Sequence, residues 1–178
     1  MESQSGNIDT DKMYDNMVNK FRWGGIDKAK SADDIYLDET VRRMVTTTRS
    51  TILRLATSLY NEGVGAEIYL NNDSASMDEA QREKIHKFIV DRYTKAQNVL
   101  DLMTEKLPEY TSPYGIQIGA QVADLYDRLG LVMDRKDDIE KAQEILLHEI
   151  ELYTGYILYF QSLSPAQYST LPRDDRYI

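Results

Sequence analysis

The sequence predicts an all-α fold built of antiparallel helical hairpins. Three observations carry that expectation. Apolar residues recur in steps of three and four along several long segments, the spacing of one helix face. No stretch alternates with period two or carries an Asn-Gly hairpin turn. Two pairs of these segments also share a residue template, the mark of an internal repeat.

Residues 1–8 read as a flexible leader and 173–178, RDDRYI, as a polar tail. One helical domain, 9–172, lies between them. Its first part, 9–25, is an N-terminal helix and anchor. Asp9 or Thr10 caps it, and Asp11 suits its positive end. Met13, Met17, Val18 and Phe21 repeat at helical spacing until Gly24 and Gly25 stop the helix beside Trp23, the single tryptophan. IDKAKSADDIYLD is polar and aperiodic, a loop.

A first hairpin with a long connection spans 38–108. Asp38 opens its first helix, where Val41, Val45, Thr48, Ile52, Leu55 and Leu59 form one apolar face. Gly63 is the expected C-cap. EGVGAEIYLNNDSAS reads as a loop, with Glu67–Leu70 a short extended piece. Ser76 and Glu79 make a capping-box pattern for the return helix, which Pro108 ends. The second hairpin spans 114–163. Its first helix runs from Tyr114 to Leu129 and stops at Gly130. Asp137 or Asp138 opens the second, lined by Ile139, Ala142, Leu146, Ile150, Tyr153, Ile157 and Phe160. LSPAQYSTLP adds at most a helical turn.

Composition narrows the function classes. With 42% apolar and 29% charged residues in 178, the chain is long and apolar enough to bury a core. A formal net charge of -9 argues against nucleic acid and anionic lipid as partners. The lack of cysteine removes disulfides, thiol chemistry and cysteine-based zinc sites. No apolar run is long enough to span a bilayer, and MESQSGNIDTDK lacks the features of a secretory signal. As given, the chain reads as soluble, whole or as a piece of something larger.

The repeat sets RLATSLYNEG and KAQNVLDLMTEKLP beside QVADLYDRLG and KAQEILLHEIELY. Small residues (Ala56, Ala123; Ala96, Ala142) allow close helix approach, and Gly63 aligns with Gly130. The pattern resembles the tetratricopeptide (TPR) repeat in a right-handed array. It departs from that repeat's period of roughly 34 residues because the glycine-to-alanine connections are stretched.

MYDNMVNKFRWGG and YLDETVRRMVTTTRSTILRLATSLYNEG, with YILYFQSLSP further on, resemble the C-terminal soluble region of a Bacteroidetes family of multi-pass membrane proteins. That family is of unknown function, and its membrane part resembles protein O-mannosyltransferases. The resemblance covers about Ile8 to Pro165. It implies an extramembrane, TPR-like module, associated with the inner membrane on the periplasmic side. Transferase chemistry would belong to the membrane part, so the resemblance places no catalytic residue in this chain.

Candidate contact residues follow from residue type and position. His86 and His148 are isolated, with no second histidine at metal-pair spacing. Asp33-Asp34, Asp137-Asp138 and Asp174-Asp175 sit at loops or helix starts, where capping explains them. Arg42, Arg43, Arg49 and Arg54 crowd one helix. Arg42 and Arg49, seven apart, share a face that suits an anionic group such as a sugar phosphate; pairing with the surplus carboxylates is the commoner use. Of thirteen tyrosines, Tyr126 and Tyr153 fall on apolar faces, whereas Tyr36, Tyr110 and Tyr114 sit at loops or a helix start and suit contacts. Trp23 either pins the N-terminal helix onto the Val41–Leu59 helix or faces a partner. The set is thus Trp23, Tyr36, Arg42, Arg49, Tyr110 and Tyr114, with no metal, cofactor or catalytic residue called for.

The sequence therefore points to a non-catalytic interaction or scaffold module, bound to a protein partner or to the membrane part of the same chain. A free-standing TPR-like adaptor is one alternative. A carbohydrate or sugar-phosphate binding domain is the other, and it requires arginine and tyrosine to converge in one concave pocket.

Overall fold

The structure, a computed structural model, describes residues 8–170. The tail 173–178 and the leader up to residue 7 lie outside the described residues. Every regular element among the described residues is helical, as the periodicity predicts.

Helix α1, Thr10–Asp15, is capped by the Asp9 side chain, which accepts from the Lys12 amide at 3.0 Å. It continues as a single π-helical turn, Asn16–Lys20. The chain then reverses through Gly24 and Gly25, whose φ of +71° and +84° only glycine adopts without strain. The expected loop that follows holds two short 3-10 turns, Ile26–Lys28 and Ala32–Asp34.

Helix α2 spans Glu39–Asp73, opened by Asp38, which accepts from the Val41 amide at 2.8 Å. It does not end at Gly63, and the expected loop and extended piece after that glycine are further helix. Gly63 serves another purpose: a Cβ there would lie 2.5 Å from the Tyr93 ring. Its missing side chain lets α2 meet the next helix. That helix, α3, spans Glu79–Lys106. Its capping box is made by Asp78 and Gln81 rather than Ser76 and Glu79, because the helix starts at Glu79 and puts Asp78 at the N-cap, where its carboxylate accepts from the Gln81 amide at 2.7 Å. Pro108 follows its end, as expected.

Helix α4, Ile116–Val132, begins two residues after Tyr114, at Gly115 with φ +77°. It passes through Gly130 instead of stopping there. The left-handed residue is Asp134, φ +53°, and the Arg135 amide closes back on the Gly130 carbonyl at 2.8 Å. At Gly130 a Cβ would lie 2.8 Å from Ile139. Helix α5 spans Lys136–Ser162 with Arg135 at its N-cap. Neither Asp137 nor Asp138 opens it; Asp138 is turned inward and buried. Helix α6, Pro165–Thr170, follows, capped by Ser164 and Gln167.

α2 and α3 run in opposite directions: Arg49 reaches Leu107, and Gly63 faces Tyr93. α4 and α5 do the same, with Gly119 on Glu149 and Gly130 on Ile139. The repeat register that aligns Ala56 with Ala123 and Ala96 with Ala142 also carries Gly63 onto Gly130 and Tyr93 onto Ile139. One packing solution is therefore used twice. α4 joins the pairs by lying against both α2 and α3, and all four helices share one core. Leu55, Ala56, Leu59, Ala96, Leu100, Val122, Tyr126 and Leu129 are buried in it.

Two glycines of α2 separate the packing role from the conformational one. Gly63→Ala should destabilise by about 1–3 kcal/mol, the cost of overpacking against Tyr93 outweighing the gain in helix propensity. Gly65→Ala, with nothing within 4 Å, should stabilise by about 0.5–1 kcal/mol. Urea unfolding of the two variants beside the wild type measures both signs.

Candidate functional site

The site begins with where the sequence-selected residues lie, because the structure separates them. Arg49 is fully buried, not a surface cation. Its guanidinium donates to the carbonyls of Leu107 (2.8 Å), Pro108 (3.2 Å) and Pro113 (3.3 Å) and lies 4.5 Å from the centre of the Tyr114 ring. Arg42 stays exposed, its Nε donating to the Leu37 carbonyl at 3.0 Å. The two therefore do not form one anion-binding face, since the carbonyls of the turn after α3 claim Arg49. Tyr114, expected as a contact, is buried under that guanidinium, and burial pushes its phenol up to about 12.

Tyr110 is exposed, but its hydroxyl donates to the Ala29 carbonyl at 2.9 Å. Tyr36 is 89% exposed. Trp23 is half-buried, packs against the core cluster and meets Phe21 edge-on at 4.7 Å. The segment it belongs to packs on both α2 and α3: α1 lies against α2, and most of the polar ties go to α3. Asp11 pairs with Arg92 and Lys95, Tyr14 with Asn98, and Asp27 with Lys106, while Thr10 reaches Glu62 of α2. The Arg92 and Lys95 hydrogen bonds hold the Asp11 carboxyl well below the ordinary range.

Two inner polar groups tie the helices. In one, the Tyr126 hydroxyl donates to Asp101 at 2.9 Å and accepts from Lys141 at 2.7 Å, linking α3, α4 and α5. Gln97 bridges from Asp101 to the buried Asp138, which Arg135 meets at 2.8 Å. Desolvation first, then the Asp101 charge, pushes the Tyr126 phenol far up, so it remains a neutral hydrogen-bond donor.

The other group surrounds Glu149, buried over Gly119 where a Cβ would leave it no room. Neither carboxylate oxygen meets a donor. Glu149 faces Glu109, which His148 Nδ1 approaches at 2.9 Å. Burial and then Glu109 push the Glu149 carboxyl up, which favours its neutral form.

The open feature is a groove of about 670 Å³ lined by α2 and α4, with Ile8 at one edge. Arg54, Tyr60, Asn61, Gln121, Asp124 and Arg128 contribute to its walls. Arg49 stacks on Tyr114 near the start of α4, and Tyr60 interacts with Arg128 near its end, so the two helices run side by side in the same direction. Arg128 is held by Asp124 at 2.9 Å. Sequence reasoning placed Arg54 in the arginine cluster but did not single it out. Which arginine faces the groove depends on how α4 crosses α2, which helical spacing within α2 does not encode. Among the described residues no group of three or more His, Cys, Asp or Glu is arranged to hold a metal ion. No helix among them is long and apolar enough to cross a membrane.

Compared with known protein families, with curated proteins and with solved structures, the chain matches none.

Two substitutions test the buried groups. Arg49→Met removes a donor from three inward carbonyls, of which Pro108 alone keeps another in Thr111, and should cost about 3 kcal/mol or more in urea unfolding. For Glu149 the folded value lies above the unfolded one, so ionisation costs stability as pH rises above the ordinary 4.5, up to the raised folded value. Glu149→Gln should therefore match the wild type in stability below that window and exceed it at neutral pH. Thermal melts across pH 4–8 read the difference. A less stable variant at neutral pH would show that the Glu149 charge is needed to balance Arg49.

Proposed function

We propose that the chain is a non-catalytic helical-repeat interaction module that holds an acidic peptide segment of a protein partner in the α2–α4 groove. The observation that carries this reading is the groove itself: two helices running the same way, with amide, hydroxyl and guanidinium side chains along its walls. Asn61 and Gln121 can each donate to and accept from a peptide main chain, and Arg54 and Arg128 offer guanidinium geometry to a carboxylate. The repeated glycine contacts and the placement of α4 across α2 and α3 support a TPR-like array, a form that presents such grooves.

We further read the module as the extramembrane part of a membrane glycosyltransferase-like protein, on the periplasmic side of the inner membrane. That setting rests on the MYDNMVNKFRWGG and YLDET blocks, and a free-standing adaptor with the same groove is the alternative setting.

One observation favours a second reading, a sugar phosphate as the ligand. Arginine and tyrosine do converge in one concave pocket, through Arg54, Arg128 and Tyr60 rather than the expected residues.

Calorimetric titration of the chain with a glutamate-rich octapeptide and, separately, with a hexose phosphate distinguishes the two readings. The peptide should bind saturably, more weakly at high salt, and about tenfold or more weakly to Arg54→Glu and Arg128→Glu. Hexose phosphate binding lost in the same variants, without peptide binding, would replace the first reading by the second. Binding of neither would overturn both.

A further inference from the structure

The repeat register has a consequence at the other side of the second helix pair. In the first pair, the surface where α2 meets α3 is covered by α4. Tyr126 of α4 meets Asp101 and Thr104 there, and Leu53, Leu100 and Leu107 are buried. The register carries Leu53 to Ala120, Leu100 to Leu146, Asp101 to Leu147, Thr104 to Ile150 and Leu107 to Tyr153. Of these equivalents Ala120, Leu146, Ile150 and Tyr153 line an uncovered groove of about 350 Å³ between α4 and α5, together with Glu149, Thr154 and Ile157; Leu147 lies beside it on the exposed face of α5. Leu146 is 43% exposed, where Leu100 is fully buried; Leu147 and Ile150 are 60% and 61% exposed. Leu158 and Tyr159 prolong the exposed apolar surface along α5.

The differences between the two grooves describe the occupant. Where the first groove offers Asp101 and Thr104 to a tyrosine hydroxyl, the second offers Leu147 and Ile150, so the residue seated there is apolar. Leu146, Ile150, Tyr153 and Ile157 step by four, three and four, the stripe that one helix presents to another. From Gln143 to Ser162, α5 carries the exposed acids Glu144 and Glu151 and no lysine or arginine. A helix lying on it is therefore favoured by basic residues beside its apolar stripe. A second copy of this chain, with its own formal charge of -9, would bring like charge to the same surface.

We infer that the α4/α5 groove seats a basic amphipathic helix of a partner protein, packed as α4 packs on α2 and α3. This site is separate from the α2–α4 groove, and its partner is helical where that ligand is extended.

The probe is α4's own sequence, Ile116–Val132, as a stapled, fluorescent peptide with Asp124→Lys, Asp127→Lys and Tyr126→Phe; stapling offsets the marginal stability of so short a free helix. Anisotropy titration against the full chain should show saturable binding. Ile150→Glu should weaken it by about tenfold or more, because the contact would bury an unpaired carboxylate. Leu147→Glu should weaken it too, and Arg54→Glu should leave it unchanged. Circular dichroism and melting confirm that each variant is folded; both glutamates enter at exposed positions. Absence of binding, or binding that Ile150→Glu leaves intact, overturns the inference. So does sedimentation of the wild type as a dimer that Ile150→Glu dissociates, which would make the occupant a second copy. Flotation of the wild type, but not of Ile150→Glu, with phosphatidylcholine vesicles would overturn it in favour of lipid.

Discussion

Arg49 is the constraint on which the arrangement of the helices depends. A guanidinium has donors in a fixed planar fork and stays charged at any ordinary pH. Buried at the end of the first helix pair, it gathers the carbonyls of Leu107 and Pro113, and that of Pro108, which also accepts from Thr111. Its face is covered by Tyr114, two residues before α4. One side chain of α2 thereby fixes where α3 ends, how the chain turns and where α4 starts. The direction of α4 relative to α2, and with it the open groove, follows from that fixed entry. Burying a cation is costly, and the three carbonyls, the aromatic face and the nearby Glu109 offset the cost.

Away from this junction, the two pairs are held by close approach. Gly63 against Tyr93 and Gly130 against Ile139 place backbone directly beside a side chain at corresponding positions. Glycine here acts as an absence of volume rather than as a source of left-handed backbone, since both residues are helical. The third such contact, Gly119 beneath Glu149, has no glycine counterpart: the first pair has Ile52 and Met103 at the corresponding positions. An apolar pair is thus replaced by a glycine and a carboxyl whose burial favours its neutral form.

The two open surfaces differ in chemistry and so in the partners they fit. The α2–α4 groove carries hydrogen-bonding and charged groups, suited to a main chain or an anion. The outer side of α4 and α5 carries leucine, isoleucine and tyrosine, suited to an apolar stripe. On the proposed reading, the two surfaces would hold an extended segment and a helix at once.

The sequence by itself determined the helical class, the approximate position of the long helices and the pairing of one template with another. These follow from local periodicity, from the caps at Asp9 and Asp38, and from Pro108, all of which act within a few residues of chain. It misjudged where α2 ends, because Gly63 looks the same whether it serves as a cap or as a gap for Tyr93; the distinction lies in a residue of the facing helix. Asp138 likewise looked like a helix-opening acid and is instead a buried partner of Gln97. Arg42, Arg49 and Arg54 were legible as a cluster. Only the packing of α4 and of the turn after α3 decided that Arg49 is buried, that Arg42 binds its own helix start and that Arg54 faces the groove. Tertiary structure alone settles such matters because helical spacing fixes which residues share a face, while the neighbour packed on that face decides what the residues there meet.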